Sequence, residues 1–445
     1  MNTTSPTRCT AWRLLKAHSR APRRVPRGAV FVARGPGVAL DYSRQRVDAK
    51  ALVLLARLAT ERGLPEWRAA LLAGRKINTS ENRAVWHTAL RAGDQAPAEV
   101  SRALNEMIVL SSRIRAGKKY KRIVNIGTGG SDLGPRLLAD AFGDGQLDVR
   151  FAANADEVEL DRALEGAKPA STLLVAVSKT FTTYETLWNL KRARAMGFRT
   201  FYAVTENLKE ARKYRPAEIL PMWDWVGGRF SVWSAAGFSA MCAIGPRAFQ
   251  SFLQGGRDID RHFRDKPLEQ NIPVLMGLLG VWNTNFLGAG AHAVVPYATR
   301  LRLLPAYLQQ LEMESNGKSV DRAGRAIGYA TAPVLFGAEG TPSQHSFHQL
   351  LHEGTAKVAV DFIDCALNPA LSANAAAQAE ALARGGRGSG TLRLQRLDAR
   401  NLGRLVALYE HKVFTQGVVW NINSFDQPGV ELGKKLAQRI LKGGK

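Results

Sequence analysis

Two periodicities alternate along the chain. From Ala51 to Gly74 apolar residues recur at helical spacing (ALVLLARLATERGLPEWRAALLAG), and Gly63 with Pro65 divides the run into two helices. Arg122 to Ile126 (RIVNI) is a continuous apolar run of strand length, followed by GTGGSDLGP at Gly127–Pro135 and a helical pattern through Arg136–Phe142. The same order returns at Ser171–Val177 (STLLVAV), which runs into SKTFTT at Ser178–Thr183 and then the helix-like TYETLWNLKRARAM. Phe201–Thr205 is a third strand of this kind, and His292–Tyr297, Ala332–Gly337 and Lys357–Asp364 form a second set.

Apolar strands alternating with helices predict an α/β fold with parallel sheets covered on both faces. In such sheets ligands bind beyond the carboxyl ends of the strands, where both glycine- and hydroxyl-rich turns fall. The pattern gives two α/β units separated near Ser251–Asn271. Arg384–Gly390 (RGGRGSG) reads as a flexible surface loop, and Asn401–Lys445 as closing helices around a loop.

Composition narrows the class. A chain of 445 residues, 45% hydrophobic, can build a large core. Cys9, Cys242 and Cys365 lie far apart without metal-ligand spacing, which fits a reducing compartment. The most apolar long stretch, Ile272–Tyr297, is interrupted by Asn283, Asn285 and His292 and reads as core, so no membrane partner is expected. The formal charge is +24, and Met1–Leu40 holds seven arginines, one lysine and no acid. That block reads as an organelle transit peptide, a basic arm for an anionic surface or nucleic acid, or a solvated terminus. The last is preferred, because the rest of the chain is basic and no aromatic interleaving suggests base stacking. A positive field would also attract a phosphorylated sugar.

Several motifs carry candidate chemistry. GTGGSDLGP supplies backbone amides, a hydroxyl at Ser131 and a helix amino end, a set that suits an anion but also an ordinary tight turn. Ser178, Thr180, Thr182 and Thr183 surround Lys179 at a second such turn, offering several donors and one cation to a phosphate, or else a helix cap with a solvated lysine. GGRFS places Arg229 behind two glycines, where its guanidinium can reach a cleft or lie on the surface. MESNGK puts Glu314 among small polar residues, as a general base or a solvated helix end. His345, His348 and His352 fall on one helical face, so a metal site, core and surface roles, or an acid/base group all remain open.

Taken together, these segments resemble the phosphoglucose isomerase family. The matching stretches are KINTSENRAVWHTALR at Lys76–Arg91, GTGGSDLGP, SKTFTTYET, DWVGGRFSVWSAAG at Asp224–Gly237, LQQLEMESNGKS at Leu308–Ser319, GTPSQHSFHQLLHEGT at Gly340–Thr355, and YEHKVFTQGVVWNINSFDQPGVELGKKLA at Tyr409–Ala437. The resemblance implies two SIS-type three-layer α/β sandwiches with wrapping helices. The division would be a basic segment with scaffold helices over 1–99, sandwiches over 100–250 and 271–400, and closing helices with an active-site loop over 401–445. It also implies a glycolytic aldose–ketose isomerase acting on glucose 6-phosphate and fructose 6-phosphate without metal or organic cofactor.

The residues carried over by motif are Gly130, Ser131, Ser178, Lys179, Thr180, Thr183, Gly228, Gln310 and Gln427 for phosphate and substrate. Glu314 is implied as the base, Arg229 as the cation beside it, and His352 with Lys434 as the ring-opening pair. A cytoplasmic homodimer with a shared active site is implied, with nucleic acid not expected as a partner.

The chain departs from the family's usual wording at GTPSQH, HEG and PYATR, and at Pro428, which fixes φ and deletes an amide beside Gln427. Glu353 is expected to act on its neighbour His352. An isomerase that also accepts mannose 6-phosphate would share every motif. A non-catalytic sugar-phosphate sensor would not need Glu314, Arg229, His352 and Lys434 together.

Overall fold

The computed structural model describes residues 4–21, 25, 28 and 30–441, so Arg23, Arg24 and Arg27 of the basic segment lie outside the described residues. Eleven strands among them form two sheets. β1 (Val32–Gly35) and β2 (Val38–Asp41) come from the amino end. β3 (Arg122–Ile126), β4 (Asp148–Ala152), β5 (Thr172–Val177), β6 (Phe201–Thr205) and β7 (Glu218–Pro221) make a wholly parallel sheet in the order β4-β3-β5-β6-β7. β8 (Ala291–Pro296), β9 (Val334–Gly337), β10 (Val358–Asp364) and β11 (Ser389–Leu394) join the first two strands in the order β1-β2-β11-β10-β8-β9. This second sheet is parallel except where β2 meets β1 and β11.

Alternation within β5 explains its unbroken apolar run. Leu173, Val175 and Val177 face the main core, while Leu174 and Ala176 face a second cluster on the other side of the sheet. Every residue of β5 and β6 is buried, as expected of strands covered on both faces.

The helices that hold the sheets have legible ends. Asp48 caps helix 49–61 by accepting from the Ala51 amide at 2.8 Å, and Gly63 takes the left-handed conformation that separates it from helix 64–72. Asn368 and Asp398 cap helices 369–384 and 399–419 in the same way. Helix 399–419 runs buried through the main core against helix 246–265. A Cβ at Gly403 would lie 2.0 Å from the Phe252 carbonyl, so the glycine is what lets the two backbones approach.

Two sequence readings need correction. Arg384–Gly390 is not all loop: Ser389 and Gly390 are buried in β11, held by ladders to β10. The basic segment is partly structural, since Thr10–His18 is a helix burying Trp12 and Leu15, and β1 and β2 extend the second sheet. Ile272–Tyr297 divides into helix 272–281, a π-helical turn and β8, and among the described residues no helix is long and apolar enough to cross a membrane.

Candidate active site

Two turns at the carboxyl ends of β3 and β5 present donors. After β3, Gly129–Ser131 forms a single 3₁₀ turn before helix 133–142, with Gly129 at φ +59°. A Cβ on Gly130 would lie 1.9 Å from the Gly228 carbonyl oxygen, so this turn and the 3₁₀ turn 228–233 touch backbone to backbone. Ser231 ties them, donating to the carbonyls of Gly228 at 2.6 Å and Gly130 at 3.3 Å. Asp132, next to Ser131, is buried; burial pushes its carboxyl up to about 6 despite Arg136 Nε donating to it at 2.9 Å.

After β5, Phe181 is fully buried at φ +54°, an uncommon conformation for an aromatic residue that its packing holds in place. Ser178 Oγ and Thr183 Oγ1 lie 2.9 Å apart, and Thr180 and Thr182 share a hydroxyl pair at 2.7 Å. Lys179 Nζ donates to the carbonyls of Asp224 at 2.8 Å and Val226 at 3.0 Å, and burial lowers its pKa against the opposing pull of Glu206.

The second cluster surrounds Arg229, whose side chain is 1% exposed. Its Nε donates to Ser315 Oγ at 2.6 Å, Nη1 to Gln427 Oε1 at 2.8 Å, and Nη2 to the carbonyls of Ser424 at 2.6 Å and Asp426 at 3.2 Å. Burial lowers its pKa, while Glu314 and Asp426 act in the opposite sense. Glu314 closes a π-helical turn over Gln310–Glu314; its Oε1 lies 3.5 Å from Arg229 Nη1, and its buried Oε2 has no hydrogen-bond partner among the described residues. Lys318 closes the end of that helix by donating to the carbonyls of Glu314 at 2.9 Å and Ser315 at 3.1 Å, and to the Asp426 carbonyl at 2.8 Å.

Gln310 joins the two clusters. Its amide lies over Gly129, where a Cβ would fall 3.0 Å from Nε2, and its buried Oε1 has no partner among the described residues. An unpaired buried acceptor and an unpaired carboxylate oxygen on one turn are costly in a folded chain unless water or a ligand engages them. A cleft of about 390 Å³ lined by Ser80, Glu81, Lys318, Asp426 and Gln427 opens beside Arg229. The arrangement can hold an anion at one end and move a proton next to a fixed cation at the other.

The expected residues do not all meet. Gly130, Gly228, Arg229, Gln310, Glu314 and Gln427 are brought together. His352 is not: its Nε2 lies 3.1 Å from Gln378 Oε1, the same oxygen that His348 Nδ1 approaches at 3.2 Å, and His345 is exposed. Glu353 accepts from Gln349 at 2.8 Å rather than engaging His352. Lys434 stands on helix 428–441, and its side chain lies outside the described residues. Pro428 begins that helix, where a missing amide and a fixed φ are favourable, so the loop before it is intact and Gln427 reaches Arg229. Sequence reasoning missed Ser315, Lys318, Ser424 and Asp426. All lie inside the quoted motifs, but most of their bonds are to backbone carbonyls, which no residue letter marks.

The phosphoglucose isomerase family model matches residues 41–387 and 373–445. A glucose-6-phosphate isomerase of Anaeromyxobacter sp. (strain K) is 45% identical, with 98% of this chain and 93% of the relative covered. That of Deinococcus deserti is 44% identical over 98% and 94%. The crystal structure of a glucose-6-phosphate isomerase from Chlamydia trachomatis superimposes with a TM-score of 0.93 at 33% identity, covering 99% of this chain and 96% of the other.

Proposed function

The chain belongs to the phosphoglucose isomerase family, and we propose on that premise that Glu314 is its catalytic base and Arg229 the cation that stabilises the charge developing beside it. The enzyme interconverts glucose 6-phosphate and fructose 6-phosphate. The open-chain sugar gives the proton on its second carbon to the Glu314 carboxylate, electrons shift onto the carbonyl oxygen, and an enediolate forms. Glu314 then returns the proton to the first carbon while the hydroxyl proton passes from the oxygen on the second carbon to that on the first, so one carboxylate on one face serves both carbon steps.

Arg229 is already held by four protein oxygens and can stay still while charge builds on the enediolate, which favours the transition state over the ground state. Ser178, Lys179, Thr180 and Thr183, with Ser131 and the amide-rich turn at Gly130, hold the phosphate; Gln310 and the unobstructed backbone at Gly228 border the sugar. His352 and Lys434 open the ring.

The observation that carries this reading is Glu314 itself, 3.5 Å from a buried arginine and with one carboxylate oxygen unpaired among the described residues. Conversion of fructose 6-phosphate by Glu314→Gln should fall roughly 10²- to 10⁴-fold while sugar-phosphate binding persists. A wild type that binds the sugar phosphate without converting it would overturn the assignment.

The site is proposed to be shared across a homodimer. Among the described residues nothing joins His352 to Glu314 or Arg229, and Leu432, Leu436 and Ile440 leave an exposed apolar stripe along the helix that bears Lys434. Sedimentation should give a dimer that Leu436→Asp dissociates with loss of activity; an active wild-type monomer would refute it. The division at 100–250 and 271–400 and a cytoplasmic setting belong to the same reading, the latter supported by three free cysteines.

A further inference from the structure

Glu314 is the last residue of a π-helical turn, and the groups that hold this turn lie on its opposite side. Glu312, two positions earlier and 1% exposed, accepts from Lys412 Nζ at 2.8 Å. Lys412 is equally buried, in the middle of helix 399–419, and its Nζ also lies 3.4 Å from His292 Nδ1 on β8. His292 Nε2 is 3.0 Å from Asp361 on β10, whose carboxylate also accepts from Tyr409 at 3.1 Å. Four positions after Glu312, buried Asn316 donates to the Val413 carbonyl at 2.9 Å, next to Lys412 on the same helix. The turn is thus pinned to helix 399–419 on both sides of Glu314, while Glu314 faces Arg229.

A π-turn contains one residue more than the α-helical alternative, and each helical residue rotates the chain by about 100°. Relaxation of the turn would therefore swing Glu314 away from Arg229 rather than shift it slightly. A buried ion pair adds little net stability compared with apolar residues of similar volume, but it can fix register. Residues of apolar character would suffice for packing at 312 and 412. An ion pair there locks a particular turn geometry.

We infer that Glu312 and Lys412 are positioning residues for the isomerisation: their ion pair keeps the π-turn wound so that the Glu314 carboxylate faces the reacting carbons. The inference rests on Glu314 as the base.

The test is the double variant Glu312→Leu/Lys412→Met, which removes both charges without leaving one buried alone, assayed with fructose 6-phosphate across pH beside Glu314→Gln and Glu312→Gln. The double variant should keep its KM, lose roughly 10- to 100-fold in kcat, and shift the acidic limb of its kcat profile. Glu312→Gln, which removes the ion pair and leaves the buried Lys412 charge facing a neutral amide, should also lower kcat at constant KM. Wild-type kcat and an unshifted acidic limb in the double variant would overturn the inference, as would a KM that rises in step with the fall in kcat.

If the double variant does not fold, Glu312→Asp decides. It keeps both charges but shortens the tether by one carbon, and should lower kcat several-fold at constant KM; unchanged kcat refutes the positioning role. An active Glu314→Gln would instead defeat the base assignment itself, so the two failures are separable.

Discussion

The proposed phosphate end and the proposed proton-transfer end of the site are built on opposite plans. At the phosphate end the hydroxyls bond mainly to one another, Ser178 to Thr183 and Thr180 to Thr182, in neutral pairs that a dianionic phosphate can outcompete. At the other end Arg229 is fully engaged by fixed oxygens, with Lys318 closing the helix that carries Glu314. A binding site can rearrange to meet its ligand, because the ligand's own interactions offset the internal bonds lost. A group that stabilises a short-lived charge must already be in place, since rearrangement would add to the barrier.

The sharpest way to break this contrast is Arg229→Lys. The point charge remains but the planar fork is lost, so kcat should fall roughly 10²- to 10³-fold with KM within about threefold. A change confined to KM would erase the distinction. Lys179→Met should do the reverse, raising KM for fructose 6-phosphate about 10- to 100-fold with little change in kcat, because it removes a charge-assisted contact remote from the reacting carbons.

The smallest effect concerns stability at the phosphate turn. Buried Asp132 holds its proton up to about pH 6 in the folded chain, against 3.8 as its ordinary value. Its contribution is therefore fully present below about pH 4 and is lost as pH rises through about 6. Urea midpoints should show this decline in wild type, of order 3 kcal/mol, and not in Asp132→Asn. Equal slopes in both would refute it.

What the sequence made legible follows from burial. β3 and β6 coincide with RIVNI and FYAVT, because strands covered on both faces are written as uninterrupted apolar runs. β4 (DVRFA) and β7 lie at the sheet's edges, where partial exposure admits charges that mask the pattern. β11 was hidden because Ser389 and Gly390 continue a glycine-rich turn. At the candidate site, Arg229, Gln310, Glu314 and Gln427, which the structure brings together, stood out in their motifs, as did His352, which bonds to Gln378 instead. The partners that orient them were not: Ser315 and Lys318 matter through where the backbone brings them, and the role of Glu312 depends on a lysine a hundred positions away. Pro428 is a related case: a proline that would damage a loop interior is well suited to the first position of a helix.

The backbone contact between Gly130 and Gly228 also has a kinetic side. β3 and β5 can pair through nearby segments of chain, but the turn after β3 reaches its final shape only when the turn carrying Arg229 arrives from far along the sequence. Contacts of such long separation close late, after the loop between them has been ordered. In a newly made chain the pairing of β3 with β5 would therefore precede the junction of the two turns, and the proposed phosphate-binding and proton-transfer groups would come together in one step.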